Sequence, residues 1–132
     1  MPWDIAAAPD ELALLMEAGM IYRDTGNLRE AREVFTGVRA LTPQSEVPEV
    51  ALGTIAFQEQ DYDAAERHYK RAIESNPKSA FAYAHLGELQ LFQKNEKEAR
   101  ESLGKAVELD PRGDAGKMAR TLLGVADAMK WD

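Results

Sequence analysis

Apolar residues recur at spacings of three and four along most of the chain, which is the period of one helix face. Leu12, Leu15, Ala18, Gly19 and Tyr22 mark a first helix. The pattern breaks at Thr25-Gly26-Asn27 and resumes with Leu28, Ala31, Phe35 and Val38, which predicts a second. Asn27 is placed to cap that second helix, with Glu30 completing a capping box. Asn95 and Glu98 repeat the arrangement, and Asp61 keeps the cap with Ala64 in place of the acid. Proline disfavours helix in the residue before it, so helices should end near Thr42, Asn76 and Asp110. Ser45 and Ser79 are placed to cap the helices that follow, Pro48 falls in a first turn, and Asp10 is placed to cap the first helix after Pro9. No strand-period alternation is present.

The punctuation repeats every 34 residues. Gly19, Gly53 and Gly87 coincide at that shift, as do Ala31, Ala65 and Ala99, and Pro43, Pro77 and Pro111. Asn27, Asp61 and Asn95 share a further phase. Units at 12–45, 46–79 and 80–113 follow, each a helical hairpin. Glycine inside a helix costs about 1 kcal/mol relative to alanine, so three glycines at one phase imply a compensating contact. The expectation is that they let the two helices of a hairpin approach, with Ala31, Ala65 and Ala99 facing them.

These residues carry a resemblance. The first unit reads Leu15-x2-Ala18-Gly19-x2-Tyr22, then Ala31-x3-Phe35, then Pro43. The second has Leu52-Gly53, Ala65-x3-Tyr69 and Pro77, with Glu49 and Ala56 at the aromatic and tyrosine positions. The third has Tyr83-x2-Leu86-Gly87, Ala99-x3-Leu103 and Pro111, with Gln90 in place of the tyrosine. The pattern resembles the tetratricopeptide repeat. It implies one all-α domain spanning 1–132, a right-handed superhelix of three hairpins closed by a capping helix. Asp114 to Lys130 supplies that helix, with Met118, Leu122, Val125 and Met129 on one face and Ala115, Ala119 and Ala126 alongside. A leader over 1–11 carries Trp3 and Ile5, read as packing loosely on the first hairpin or meeting a second copy.

Charge and composition narrow the function. The chain has a net charge of −7 and a pI of about 4.9, which argues against nucleic acid as a partner. It has no cysteine, so neither disulfides nor thiolate chemistry can operate. No apolar run approaches a membrane span. The first residues hold no Lys or Arg before Arg23 and no apolar core of a secretory signal, so the expected compartment is the cytoplasm.

Little points to catalysis. His68 and His85 fall on different helices without acids at metal-ligand spacing, and each reads as a surface or groove histidine. Gly116-Lys117 lacks the rest of a phosphate loop, and no Gly-x-Ser-x-Gly is present. Arg112-Gly113-Asp114 matches an adhesion tripeptide but falls in a turn. The run Arg67-His68-Tyr69-Lys70-Arg71 lies on a second helix, which the resemblance puts on the solvated convex side. No enzyme, metal or cofactor is expected.

The resemblance implies that the first helix of each hairpin lines a concave groove. The sides turned away from each partner helix hold Met16, Met20 and Arg23 in the first unit, and Val47, Val50, Thr54 and Phe57 in the second. The third supplies Phe81, His85, Glu88, Leu91 and Phe92. Such an apolar, methionine-bearing set suits an extended or helical peptide with apolar anchors. Acids at Glu17, Asp24 and Glu88 would favour a basic or neutral segment.

Family members that grip the C-terminal carboxylate of heat-shock proteins use Lys, Arg and Asn. Met16, Met20, Ala51, Phe81 and His85 stand at the matching positions here, so no cationic clamp is expected. The chain is also similar in architecture and character to bacterial type III secretion chaperones of translocator proteins. The expected function is therefore a non-catalytic interaction module, adaptor or chaperone that binds a partner protein. The alternative is a scaffold that assembles with itself or with a larger complex.

Overall fold

A computed structural model describes residues 9–132. The predicted contacts of Trp3 and Ile5 lie outside the described residues. Among those residues there are seven helices and no strand: α1 (Pro9–Asp24), α2 (Leu28–Leu41), α3 (Val47–Gln58), α4 (Tyr62–Ser75), α5 (Ala80–Phe92), α6 (Glu96–Leu109) and α7 (Asp114–Ala128). The hairpins are α1/α2, α3/α4 and α5/α6; α7 lies against α6 and α5. Successive hairpins meet through α2 with α3 and α4 with α5, and the first helices also touch in the order α1, α3, α5.

Position in the stack explains the composition of each helix. α3 and α5 read VPEVALGTIAFQ and AFAYAHLGELQLF, apolar on nearly every side, because α3 packs against its partner and both neighbouring hairpins and α5 against its partner, the preceding hairpin and α7. α2, α4 and α6 bury only one narrow stripe: Ala31, Phe35 and Val38, then Ala65, Tyr69 and Ala72, then Ala99, Ser102, Leu103 and Ala106. Their remaining faces are charged and solvated, which is the amphipathic pattern of an outer helix.

The glycines stand at close helix approaches, and the nearest side chain to each is the large residue one turn beyond the alanine. A Cβ at Gly19 would stand 2.7 Å from the Phe35 ring, and one at Gly87 would stand 2.6 Å from Leu103. At Gly53 it would overlap the Tyr69 ring. The large residue one turn beyond each alanine fills the space above the glycine. Ala31, Ala65 and Ala99 are themselves fully buried.

The second helices stop at Thr42, Asn76 and Asp110, as the prolines require. Of the expected helix caps, those at Asp61 and Ser79 form. Asp61 accepts from the Ala64 N–H at 3.2 Å and Ser79 from the Ala82 N–H at 3.2 Å. Asn27 and Asn95 make no side-chain cap bond, and Asn27 donates instead to Thr25 Oγ1 at 2.9 Å. Glu46 stands at the cap position of α3, yet Ser45 Oγ accepts from the N–H of Val47, the first residue of that helix, at 3.3 Å, and Pro48 lies in its first turn as expected. Asp10 lies inside α1, whose first described residue is Pro9.

The two ends of the stack are unlike. α7 buries Ala115, Ala119 and Ala126, and its Asp127 accepts from Arg100 of α6 at 2.8 Å. The Trp131 indole N–H donates to the Ala126 carbonyl at 3.0 Å and closes the helix end. At the other end α1 leaves Leu14 at 67 % and Ile21 at 56 % exposure. The turn before α7 is organised by the Asp110 carboxylate, which accepts from the Gly113 N–H at 2.9 Å. Arg112-Gly113-Asp114 is therefore part of a structural turn.

Candidate functional site

α1, α3 and α5 enclose a groove of about 770 Å³. Met16, Met20 and Arg23 come from α1, with Ala13 beside them. α3 contributes Val47, Thr54 and Phe57 along with Ala51 and Gln58, and α5 contributes Phe81, His85 and Glu88. Met20, Val47 and Phe81 are each about two-fifths exposed (39 %, 38 % and 41 %), although apolar side chains of this size are usually inside.

A short row of polar groups crosses this apolar floor. Arg23 donates to Thr54 Oγ1 at 3.0 Å and reaches Asp24 at 3.2 Å, while Thr54 donates to the Ala51 carbonyl at 2.7 Å. The one permanent cation among the groove's described residues is thus held in place on two sides. Glu88 stands 3.4 Å from His85 Nδ1, within ion-pair range. The angle does not make a hydrogen bond, and His85 Nδ1 has no hydrogen-bond partner among the described residues.

Tyr69 is the lining residue that sequence reasoning missed. It comes from α4, was assigned to the solvated face with its basic neighbours, and is in fact fully buried. Gly53 lets its ring pass through the hairpin to the groove floor. There the ring stacks on His85 at 5.9 Å, and Phe81 meets His85 edge-on at 4.7 Å. The Tyr69 hydroxyl is buried without a hydrogen-bond partner among the described residues. Burial, reinforced by the Glu88 charge and opposed by Arg23, pushes the Tyr69 phenol well above its ordinary range. Its flanking Arg67, Lys70 and Arg71 are exposed as expected.

A second, shallower recess of about 390 Å³ continues past Phe57 and Glu88, which line both. Leu91, Phe92 and Lys94 form one wall, and Leu122, Val125 and Met129 of the closing segment form the other. Phe57 and Phe92 meet edge-on at 5.4 Å, and Tyr62 completes the cluster at 5.7 Å and 5.2 Å. Leu91 and Phe92 therefore belong to this recess and not to the main groove. Val50 belongs to neither: it is fully buried among Tyr69, Leu86 and Leu89, where α3 meets the next hairpin.

His68 lies away from the groove. Its Nδ1 pairs with Glu49, which Arg39 also reaches at 3.4 Å, so one carboxylate links α2, α3 and α4. Glu49 occupies the position at which the repeat pattern has an aromatic residue. Among the described residues no group of three or more His, Asp or Glu is gathered as a metal site requires. No described helix is long and apolar enough to cross a membrane.

Solved structures share this architecture. The Yersinia enterocolitica type III secretion translocator chaperone SycD superposes with a TM-score of 0.79 at 20 % identity, over 92 % of each chain. SycD in complex with a peptide of the translocator YopD gives 0.74 at 22 % identity, over 90 % of this chain and 91 % of that one. The first repeat domain of Spaghetti (RPAP3), bound to the HSP90 peptide SRMEEVD, gives 0.73 at 21 % identity, over 94 % and 96 %. At these identities the likeness shows the fold. No curated protein matches the chain by sequence. Tetratricopeptide-repeat family models match residues 12–43 and 56–123, so the chain belongs to the tetratricopeptide repeat family, whose fold serves as a protein-interaction module.

Proposed function

We propose that this chain is a non-catalytic module that holds an apolar segment of a partner protein in its concave groove. The observation that carries the reading is the exposure of Met20, Val47 and Phe81 together on one concave surface. An apolar side chain seated there gains about 1.5–3 kcal/mol gross. Two or three such anchors, less the cost of association, place affinity near the micromolar range. Methionines at Met16 and Met20 let the wall adapt to differing side chains. The arrangement does not suit a C-terminal carboxylate. Arg23 is already engaged by Thr54 and Asp24, and an apolar wall cannot compensate the desolvation of an anion.

The finer reading is a chaperone of the type III secretion kind, acting in the cytoplasm on a secreted cargo. The likeness to SycD, whose structure with a YopD peptide shares this fold, supports it. The test is capture from native lysate with Met20→Glu and the convex-face control Arg71→Glu. A cargo retained by the wild type and by Arg71→Glu, and lost by Met20→Glu, is the expected result. A partner held equally by all three would move the site off the groove. Met20 serves better here than Phe57, whose ring is part of the aromatic cluster with Tyr62 and Phe92.

The exposed Leu14 and Ile21 on α1 favour a second reading, self-assembly through the open end of the stack. Sedimentation of the wild type against Ile21→Asp tests it: a dimer lost in the variant supports it, and a monomer excludes it.

A further inference from the structure

The main groove and the recess beside α7 are two apolar seats divided at one point, and the carboxylate of Glu88 lines both. Among the described residues its only ionic neighbour is His85, at 3.4 Å and without hydrogen-bond geometry. The geometry points to an occupant of definite chemistry: a peptide segment with two apolar anchors and a Lys or Arg between them, whose cation pairs with Glu88. This rests on the groove-binding reading above and specifies its ligand.

Three observations converge on it. First, the Glu88 side chain is partly exposed, at 38 %, and lines two recesses whose other walls are mostly apolar, so an incoming cation is screened less than on an open surface. Second, the polar atoms beside it are unsatisfied. The Tyr69 hydroxyl and His85 Nδ1 are buried on the groove floor without hydrogen-bond partners among the described residues. Neither donates a hydrogen bond to the Glu88 carboxylate, which is left to the occupant's cation. Third, Arg23 is already engaged by Thr54 and Asp24, so the uncompensated charge of the main groove is that of Glu88, with Lys94 on one wall of the recess. The chain as a whole carries −7, which steers a basic segment toward it.

The test is a synthetic 12-residue peptide array with two apolar positions held as Leu, Phe or Met. The residues between them are scanned through Lys, Arg, Gln and Glu. Wild type, Glu88→Gln, Glu88→Lys and Met20→Glu are each confirmed helical by circular dichroism before use. The wild type is expected to bind the Lys and Arg members about five- to tenfold better than the Glu members, with the preference falling in 0.5 M salt. Glu88→Gln should flatten the preference and Glu88→Lys should reverse it, while Met20→Glu should lose every member. Binding of apolar peptides with no dependence on the scanned residue would overturn the inference and leave the groove reading intact. Failure of the wild type to bind any peptide would overturn both. Wild-type sedimentation as a dimer that Met20→Glu dissolves would give the groove to a second copy and also overturn it.

Discussion

Gly53 and Tyr69 are in contact across the α3/α4 hairpin with no room for a methyl group: a Cβ on Gly53 would stand 2.7 Å from Tyr69 Cδ1 and closer still to Cε1. Real Cβ atoms do not approach so closely, so Gly53→Ala must displace a ring that is fully buried. Overpacking of this kind costs about 1–3 kcal/mol, only partly offset by the better helix propensity of alanine. Gly37, Gly104 and Gly124 also lie in helices, but a Cβ there meets nothing within 4 Å. The same substitution at those positions is expected to stabilise by up to about 1 kcal/mol. Urea unfolding of the four alanine variants checks the opposite signs. A Gly53→Ala variant as stable as Gly104→Ala would contradict the packing described here.

The turn inside each hairpin passes through a left-handed residue at the same phase of the repeat: Gly26 at φ 82°, Gln60 at φ 64° and Lys94 at φ 60°. Only the first of these is the residue that adopts that region freely, and a side chain there costs about 1–2 kcal/mol. Gln60→Gly and Lys94→Gly are therefore expected to stabilise the fold modestly, less what glycine adds to the entropy of the unfolded chain. Gly26→Ala should destabilise it by about 1 kcal/mol. Thermal unfolding of the three variants decides the matter.

The turn strain and the glycine contacts mark how far the sequence could be read. The period and the helix ends at Thr42, Asn76 and Asp110 follow from local pattern, and the grouping of Met16, Met20, Phe57, Phe81 and Glu88 follows from that pattern once the family resemblance supplies the stacking of the hairpins. These depend on one helix face or on a proline acting on its neighbour. The misplaced residues depend on how hairpins stack. Val50 is expected on the side of α3 turned away from its partner, but it packs among Tyr69 of α4 and Leu86 and Leu89 of α5, where the two hairpins meet. Tyr69 was hidden by its charged neighbours. The informative signal was the glycine 16 positions earlier, a spacing that Gly19 and Phe35, and Gly87 and Leu103, repeat. Asn27 is a suitable cap by type, yet its amide finds Thr25 instead, a choice that needs the turn geometry.

Ser102 and Gln90 form a buried polar pair in the third hairpin, with the serine hydroxyl donating to Gln90 Oε1 at 2.6 Å. Gln90 occupies the position at which the repeat pattern has tyrosine. Ser102→Ala removes one partner and leaves a buried amide oxygen without its donor, which costs about 1–3 kcal/mol. Ser102→Ala combined with Gln90→Leu removes both polar groups and should recover most of that loss. A double-mutant cycle in urea measures the coupling, and additive single effects would mean the bond contributes nothing.

The Tyr69 phenol gives the fold an alkaline limit. Its pKa is raised by burial and by Glu88 above the unfolded value of 10.0, so the native state holds its proton after the unfolded state has released it. The stabilisation from this group is complete below about pH 10, because both states are then protonated. Above pH 10 the unfolded state alone ionises, and stability falls as pH rises toward the folded pKa, by up to about 1.4 kcal/mol per pH unit. Tyr69→Phe removes both the titration and a buried hydroxyl that has no partner among the described residues. That variant should be as stable as the wild type at pH 7, or more stable by up to about 1 kcal/mol, and should lose less of its stability between pH 10 and pH 11. Urea midpoints at pH 7, 9, 10 and 11 separate the two effects. Identical alkaline losses in wild type and Tyr69→Phe would show that the hydroxyl reaches solvent and is not sealed beneath His85.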